Sequence, residues 1–65
     1  MQNHELRTYH GWFNYHGEIW EGETKAYSPD QAFYKLTTGM SRKYQVQTYV
    51  LRNYFLSSPA RWEVR

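Results

Sequence analysis

The chain has 65 residues, a formal net charge of +2 and no cysteine. That length supports one small domain, 1–65 with frayed ends at 1–5 and 63–65, near the lower limit at which a single core repays chain entropy, and the lack of thiols excludes disulfides and thiolate metal sites. No apolar run approaches the roughly 20 residues of a membrane-spanning helix, and the opening Met1-Gln2-Asn3-His4-Glu5-Leu6-Arg7 has neither the basic end nor the apolar middle of a secretory signal, so the expected location is the cytoplasm.

From Leu6 to Tyr15 the residues favour a strand, His16-Gly17 offers a tight reversal, and Ile19 to Tyr27 favours a second strand. A hairpin over residues 6–27 with His16 and Gly17 as its two loop residues pairs Tyr15 with Glu18, Phe13 with Trp20, Gly11 with Gly22 and Tyr9 with Thr24. One face then carries Tyr9, Phe13, Tyr15, Trp20, Thr24 and Ala26 around a bare Gly11/Gly22 patch where a helix approaches most closely. The other face sets Trp12 across from Glu21, His10 across from Glu23 and Thr8 across from Lys25, a mixed surface suited to solvent or a partner.

A helix starts at Ser28. Its hydroxyl suits an N-cap, Pro29 needs no donor at the first helical position, Gln31 completes a capping box, and Asp30 complements the positive end of the dipole. Ala32, Phe33, Leu36 and Met40 recur at helical spacing and form an apolar stripe, with Phe33 or Leu36 the candidate to fill the glycine patch. Gly39 suits a left-handed stop, and Met40 to Tyr44 equally suits a further turn.

From Gln45 to Leu56 aromatic and β-branched residues dominate without Pro or Gly, which points to a long third strand. Ser57-Ser58-Pro59 is a turn, and Arg61 to Arg65 returns as an optional last strand with Trp62 and Val64 on one side. The expected fold is therefore a small α+β domain of order β-β-α-β(-β), with a three- or four-stranded, mainly antiparallel sheet and one helix packed on one face.

Aromatic residues make up 20% of the chain, seven Tyr, three Trp and three Phe, and so short a chain leaves some of them at the surface. A sheet covered on one side only presents such rings on its bare face, where they stack unpaired bases or bury themselves against a second copy or another protein. Trp12, His10, Tyr49 and Phe55 are the candidate partner-binding residues on that face.

Charge is split along the chain. Residues 1–34 carry Arg7 and Lys25 against Glu5, Glu18, Glu21, Glu23 and Asp30, a net of −3, and residues 35–65 carry six basic groups against Glu63 alone, a net of +5. Lys35, Arg42, Lys43 and Arg52, interleaved with tyrosines, are the candidate nucleic-acid contacts, since cations neutralise phosphates while rings stack bases.

Other chemistry is weakly signalled. His4, His10 and His16 are six residues apart, too far along a strand at ~3.3 Å per residue to share a metal ion. Glu21 and Glu23 have no neighbouring nucleophile, Ser28 is explained by capping, and the four glycines are scattered rather than grouped for a phosphate. No cofactor, metal or small-molecule substrate is expected. The sequence supports a non-enzymatic binding module, first for a protein partner or a second copy, alternatively for RNA or single-stranded DNA. A basic patch holding Lys35, Arg42, Lys43 and Arg52 favours nucleic acid, whereas a patch broken by Glu21, Glu23 or Glu63 favours a protein.

Overall fold

In the computed structural model, which describes residues 5–65, the chain begins with strands β1 (Arg7–Tyr15) and β2 (Glu18–Ala26), joined through His16 and Gly17. His16 and Gly17 both adopt positive φ, 52° and 89°, as the primed two-residue turns that match strand twist require. The Gly17 N–H donates to Asn14 Oδ1 at 2.8 Å and the His16 N–H to the Tyr54 hydroxyl at 3.2 Å, so the turn is held from within and from a distant element. The antiparallel register runs without a bulge from Arg7↔Ala26 to Tyr15↔Glu18, and Gly11 faces Gly22 as the sequence predicts.

Helix α1 (Pro29–Tyr44) begins at Ser28, whose Oγ accepts from the Gln31 N–H at 3.1 Å. The Gln31 side chain reaches back to the Tyr27 N–H at 2.7 Å, one residue before the N-cap that a standard box would bond. Past Gly39 the helix continues, and Gln45 in the left-handed conformation (φ 56°) ends it. Ala32, Phe33, Leu36 and Met40 are buried, so the apolar stripe faces the sheet.

The segment expected as a third strand is a second helix, α2 (Thr48–Leu56). Leu51 and Phe55 are its buried residues, and a spacing of four places two side chains on one side of a strand and on one face of a helix alike. Local β-preference, worth at most ~1 kcal/mol per residue, yields to packing. The third strand is instead β3 (Trp62–Val64), which follows a short 3₁₀ turn at Pro59–Arg61. It pairs antiparallel with β1, Gly11↔Val64 to Phe13↔Trp62, and gives the order β2-β1-β3. Residues 63–65 are therefore not frayed: Glu63 and Val64 lie in β3, and Arg65 and His10 exchange backbone hydrogen bonds of 2.7 and 2.8 Å. The fold is α+β, with a three-stranded antiparallel sheet and two helices in place of the expected one. Residues 1–4, including His4 and most of the polar lead, lie outside the described residues.

Both helices cover the same side of the sheet. Phe13, fully buried on β1, is the hub: its ring lies 5.0 Å from Phe55, 5.9 Å from Trp20, and 6.1 Å from both Phe33 and Trp62. The Trp62 ring is parallel to that of Phe13, and its Nε1–H donates to the Phe55 carbonyl at 2.8 Å, tying β3 to α2. The high aromatic content thus supplies a core from few residues, because each ring buries a large area.

Candidate interaction surface

Alternation along the strands sends Phe13, Ala26, Trp62 and Val64 inward and the intervening side chains to the uncovered side of the sheet. That side carries Thr8, His10, Trp12 and Asn14 on β1 and Ile19, Glu21, Glu23 and Lys25 on β2, with Glu63 and Arg65 from the last residues. The registers place Trp12 between Glu21 and Glu63. In the adjacent row His10 stands between Glu23 and Arg65. Trp12 is half-buried by these neighbours, and a shallow depression of about 400 Å³ is lined by His10, Gly11, Trp12, Glu21, Glu63 and Arg65.

Two side-chain contacts organise the face. His10 Nδ1 lies 3.2 Å from Glu23 Oε2, and Arg65 Nε donates to Glu63 Oε2 at 2.9 Å. The hydrogen bond and negative charge of Glu63 raise the pKa of the exposed Arg65 guanidinium above its ordinary value. Glu21 takes part in no ion pair among the described residues, which leaves one uncompensated carboxylate beside the exposed edge of Trp12.

The candidate residues do not assemble as one face. Trp12 and His10 are neighbours on the uncovered side of the sheet, but Tyr49 and Phe55 belong to α2 on the opposite side. Tyr49 is 64% exposed there, and Phe55 is fully buried in the core with no surface to offer a partner. A strand over residues 45–56 would put both on the sheet, whereas the helix over Thr48–Leu56 puts them in the other layer.

The four basic candidates lie on the helical layer, and two are occupied. Lys35 Nζ donates to the Lys25 carbonyl at 2.8 Å. Arg52 donates through Nε to Thr37 Oγ1 at 3.0 Å and through Nη2 to the Tyr34 carbonyl and Thr38 Oγ1 at 3.0 and 3.1 Å, with its guanidinium 4.6 Å above the Tyr34 ring. Arg42 and Lys43 are exposed in the last turn of α1, where they complement the negative end of its dipole. No basic candidate reaches the sheet face that carries Trp12.

Sequence reasoning missed Glu63 and Arg65 as neighbours of Trp12 and His10. The alternation Trp62-Glu63-Val64-Arg65 carried the signal for their side of the strand, but nothing local announced that this segment pairs with β1. Near the hairpin turn the Tyr44 hydroxyl is buried, with the Glu18 carboxylate as its acidic neighbour. That burial, reinforced by the Glu18 carboxylate, pushes its phenol above the ordinary range.

Among the described residues no group of three His, Asp or Glu side chains is placed to hold a metal ion, and no helix is long and apolar enough to cross a membrane. No family model, curated protein or solved structure matches the chain.

Proposed function

We propose that this chain is a non-enzymatic protein-binding module whose contact surface is the uncovered face of the sheet, centred on Trp12. The observation that carries this reading is the frame around Trp12: a large ring between two carboxylates, Glu21 and Glu63, on a face that no helix covers. Tryptophan at the centre of a polar rim is the usual composition of an energetic hot spot in a protein interface. The same carboxylates oppose nucleic acid here, since Glu21, Glu23 and Glu63 repel phosphates where stacking would bring them close. With three carboxylates against Lys25 and Arg65, and Glu21 outside any ion pair among the described residues, the face is acidic on balance and favours a partner of opposite charge. A distinct protein with basic side chains fits better than a second copy.

The test is affinity capture from cells of the source organism with nuclease present, comparing the native chain with Trp12→Ala and Tyr49→Ala. Both substitutions are at surface-accessible positions, and circular dichroism checks that each variant keeps the fold. The reading requires partners that are retained by Tyr49→Ala and lost by Trp12→Ala. Partners that survive Trp12→Ala sink it.

A second reading is supported by Arg42 and Lys43, which are exposed and have no acidic partner among the described residues. A nucleic acid would then lie against the end of α1, away from the sheet face. Titration with a single-stranded oligonucleotide at rising salt tests this: binding that falls steeply with salt and disappears in Arg42→Glu/Lys43→Glu supports it.

A further inference from the structure

The order β2-β1-β3 leaves β2 as a nine-residue edge strand, paired among the described residues with β1 on one side only. Backbone alternation decides which of its groups are unpaired. His10 exchanges both its backbone hydrogen bonds with Arg65 on the β3 side, so the even-numbered residues of β1 face β3 and the odd-numbered ones face β2. Through the register, Glu18, Trp20, Gly22, Thr24 and Ala26 direct their N–H and C=O groups toward β1. Those of Ile19, Glu21, Glu23 and Lys25 point away from the sheet.

One end of this outer row is already closed, because Lys35 Nζ occupies the Lys25 carbonyl at 2.8 Å. Among the described residues nothing pairs with the row from Ile19 to Glu23. The side chains of the same three residues lie on the uncovered face, Ile19 at 47% exposed and the two glutamates beside it. An incoming strand would meet unpaired backbone groups and, directly opposite, one apolar and two acidic side chains.

We propose that the free edge of β2 accepts an extended segment of a partner protein as a fourth strand, with Lys or Arg at the two alternate positions that face Glu21 and Glu23. This rests on the reading of the uncovered sheet face as a protein-binding surface, and it names the partner's chemistry and mode of entry. Main-chain hydrogen bonds supply affinity without sequence preference, and side chains at alternate positions supply selectivity. Opposite charges directly across an antiparallel pair attract and like charges repel, so Glu21 and Glu23 select a basic strand. A second copy is disfavoured by the same rule. The antiparallel register that uses all of β2, centred on Gly22, sets Glu21 of each copy against Glu23 of the other, the arrangement by which edge strands avoid pairing with themselves.

The test uses the full chain, isotopically labelled, with capped synthetic peptides: one alternating Thr with Arg, one alternating Thr with Glu, and the Arg peptide with alternate amides N-methylated. Amide hydrogen exchange is read residue by residue. The Arg peptide is expected to slow exchange at Ile19, Glu21 and Glu23, the N-methylated peptide to lose this effect, and the Glu peptide to bind roughly ten-fold more weakly or worse. The double variant Glu21→Lys/Glu23→Lys, changed only at exposed positions, is expected to reverse the preference between the Arg and Glu peptides. Equal binding of the two peptides to the native chain overturns the proposal. So does exchange at the three edge amides that no peptide slows. If the Arg peptide shifts the Trp12 indole while those amides stay unprotected, strand addition fails and the wider reading of the face stands. If the three amides become protected without peptide as protein concentration rises, the occupant is a second copy and the basic segment is overturned.

Discussion

Leu36 Cδ1 occupies the space that a side chain at Gly11 would need: a Cβ built there lies 2.6 Å from that methyl and 2.7 Å from Phe13 Cε2. The bare spot on β1 is what lets α1 settle onto the sheet, and both atoms that fill it belong to buried side chains with little room to move. Gly11→Ala is expected to destabilise the fold by about 1–3 kcal/mol, the usual range for overpacking. Chemical denaturation measures it, and the cost should shrink in a Leu36→Ala background, where the methyl is gone. A cost unchanged in that background would place the strain elsewhere.

Arg52 joins the two helices. Its fork reaches three acceptors on α1 and lies over the Tyr34 ring. Lysine keeps the charge but offers neither the fork nor the flat stacking surface. We expect Arg52→Lys to lower stability by about 1–2 kcal/mol, from lost hydrogen bonds to partly buried acceptors. Thermal unfolding of the two proteins at matched salt provides the comparison, and an unchanged midpoint would show that the fork is dispensable.

Gly39 sits inside α1 rather than at its end, without a positive φ, and a Cβ there meets only Trp20 Cζ2 at an ordinary 3.9 Å. Glycine in a helix interior costs roughly 0.5–1 kcal/mol relative to alanine. Gly39→Ala should therefore stabilise the protein by about that amount, visible as a raised denaturant midpoint with an unchanged slope.

The Tyr44 phenol gives a pH dependence with a definite sign. Its pKa is raised in the folded chain, chiefly by burial and then by Glu18, so the folded state holds the proton after the unfolded chain has begun to lose it. Stability is unaffected by this group below the ordinary value of 10.0 and falls as pH rises from there toward the raised folded value. Tyr44→Phe should flatten that part of the alkaline decline. Denaturation midpoints across the alkaline range check this outcome.

The hairpin, its register, the Gly11/Gly22 patch and the start of α1 were legible in the sequence because their signals are local: a glycine in a two-residue turn, period-two alternation, and Ser28-Pro29 before an apolar stripe. The register alone placed Trp12 beside Glu21 and His10 beside Glu23, which is half of the candidate surface. The other half arrives with β3, and its pairing to β1 depends on contacts between residues far apart in the chain. Residues 45–56 were misread for a related reason. Leu51 and Phe55 satisfy both periods, and the helix is decided by Phe13, Trp62 and Arg52, which hold it against α1 and the sheet. The misreading carried Tyr49 and Phe55 into the wrong layer, and with them half of the candidate partner-binding set.

The central strand comes first in the chain and its second neighbour comes last, with both helices between them. Closing β3 onto β1 therefore carries a larger loop-closure entropy than pairing β2 with β1, since the hairpin forms across two residues. Sequence separation favours one order of assembly, with the hairpin first at the microsecond scale of such turns, the helices onto its inner side next, and β3 last to complete the sheet. Substitutions in β3 should thus act mainly by speeding unfolding, and those at the His16-Gly17 turn mainly by slowing folding.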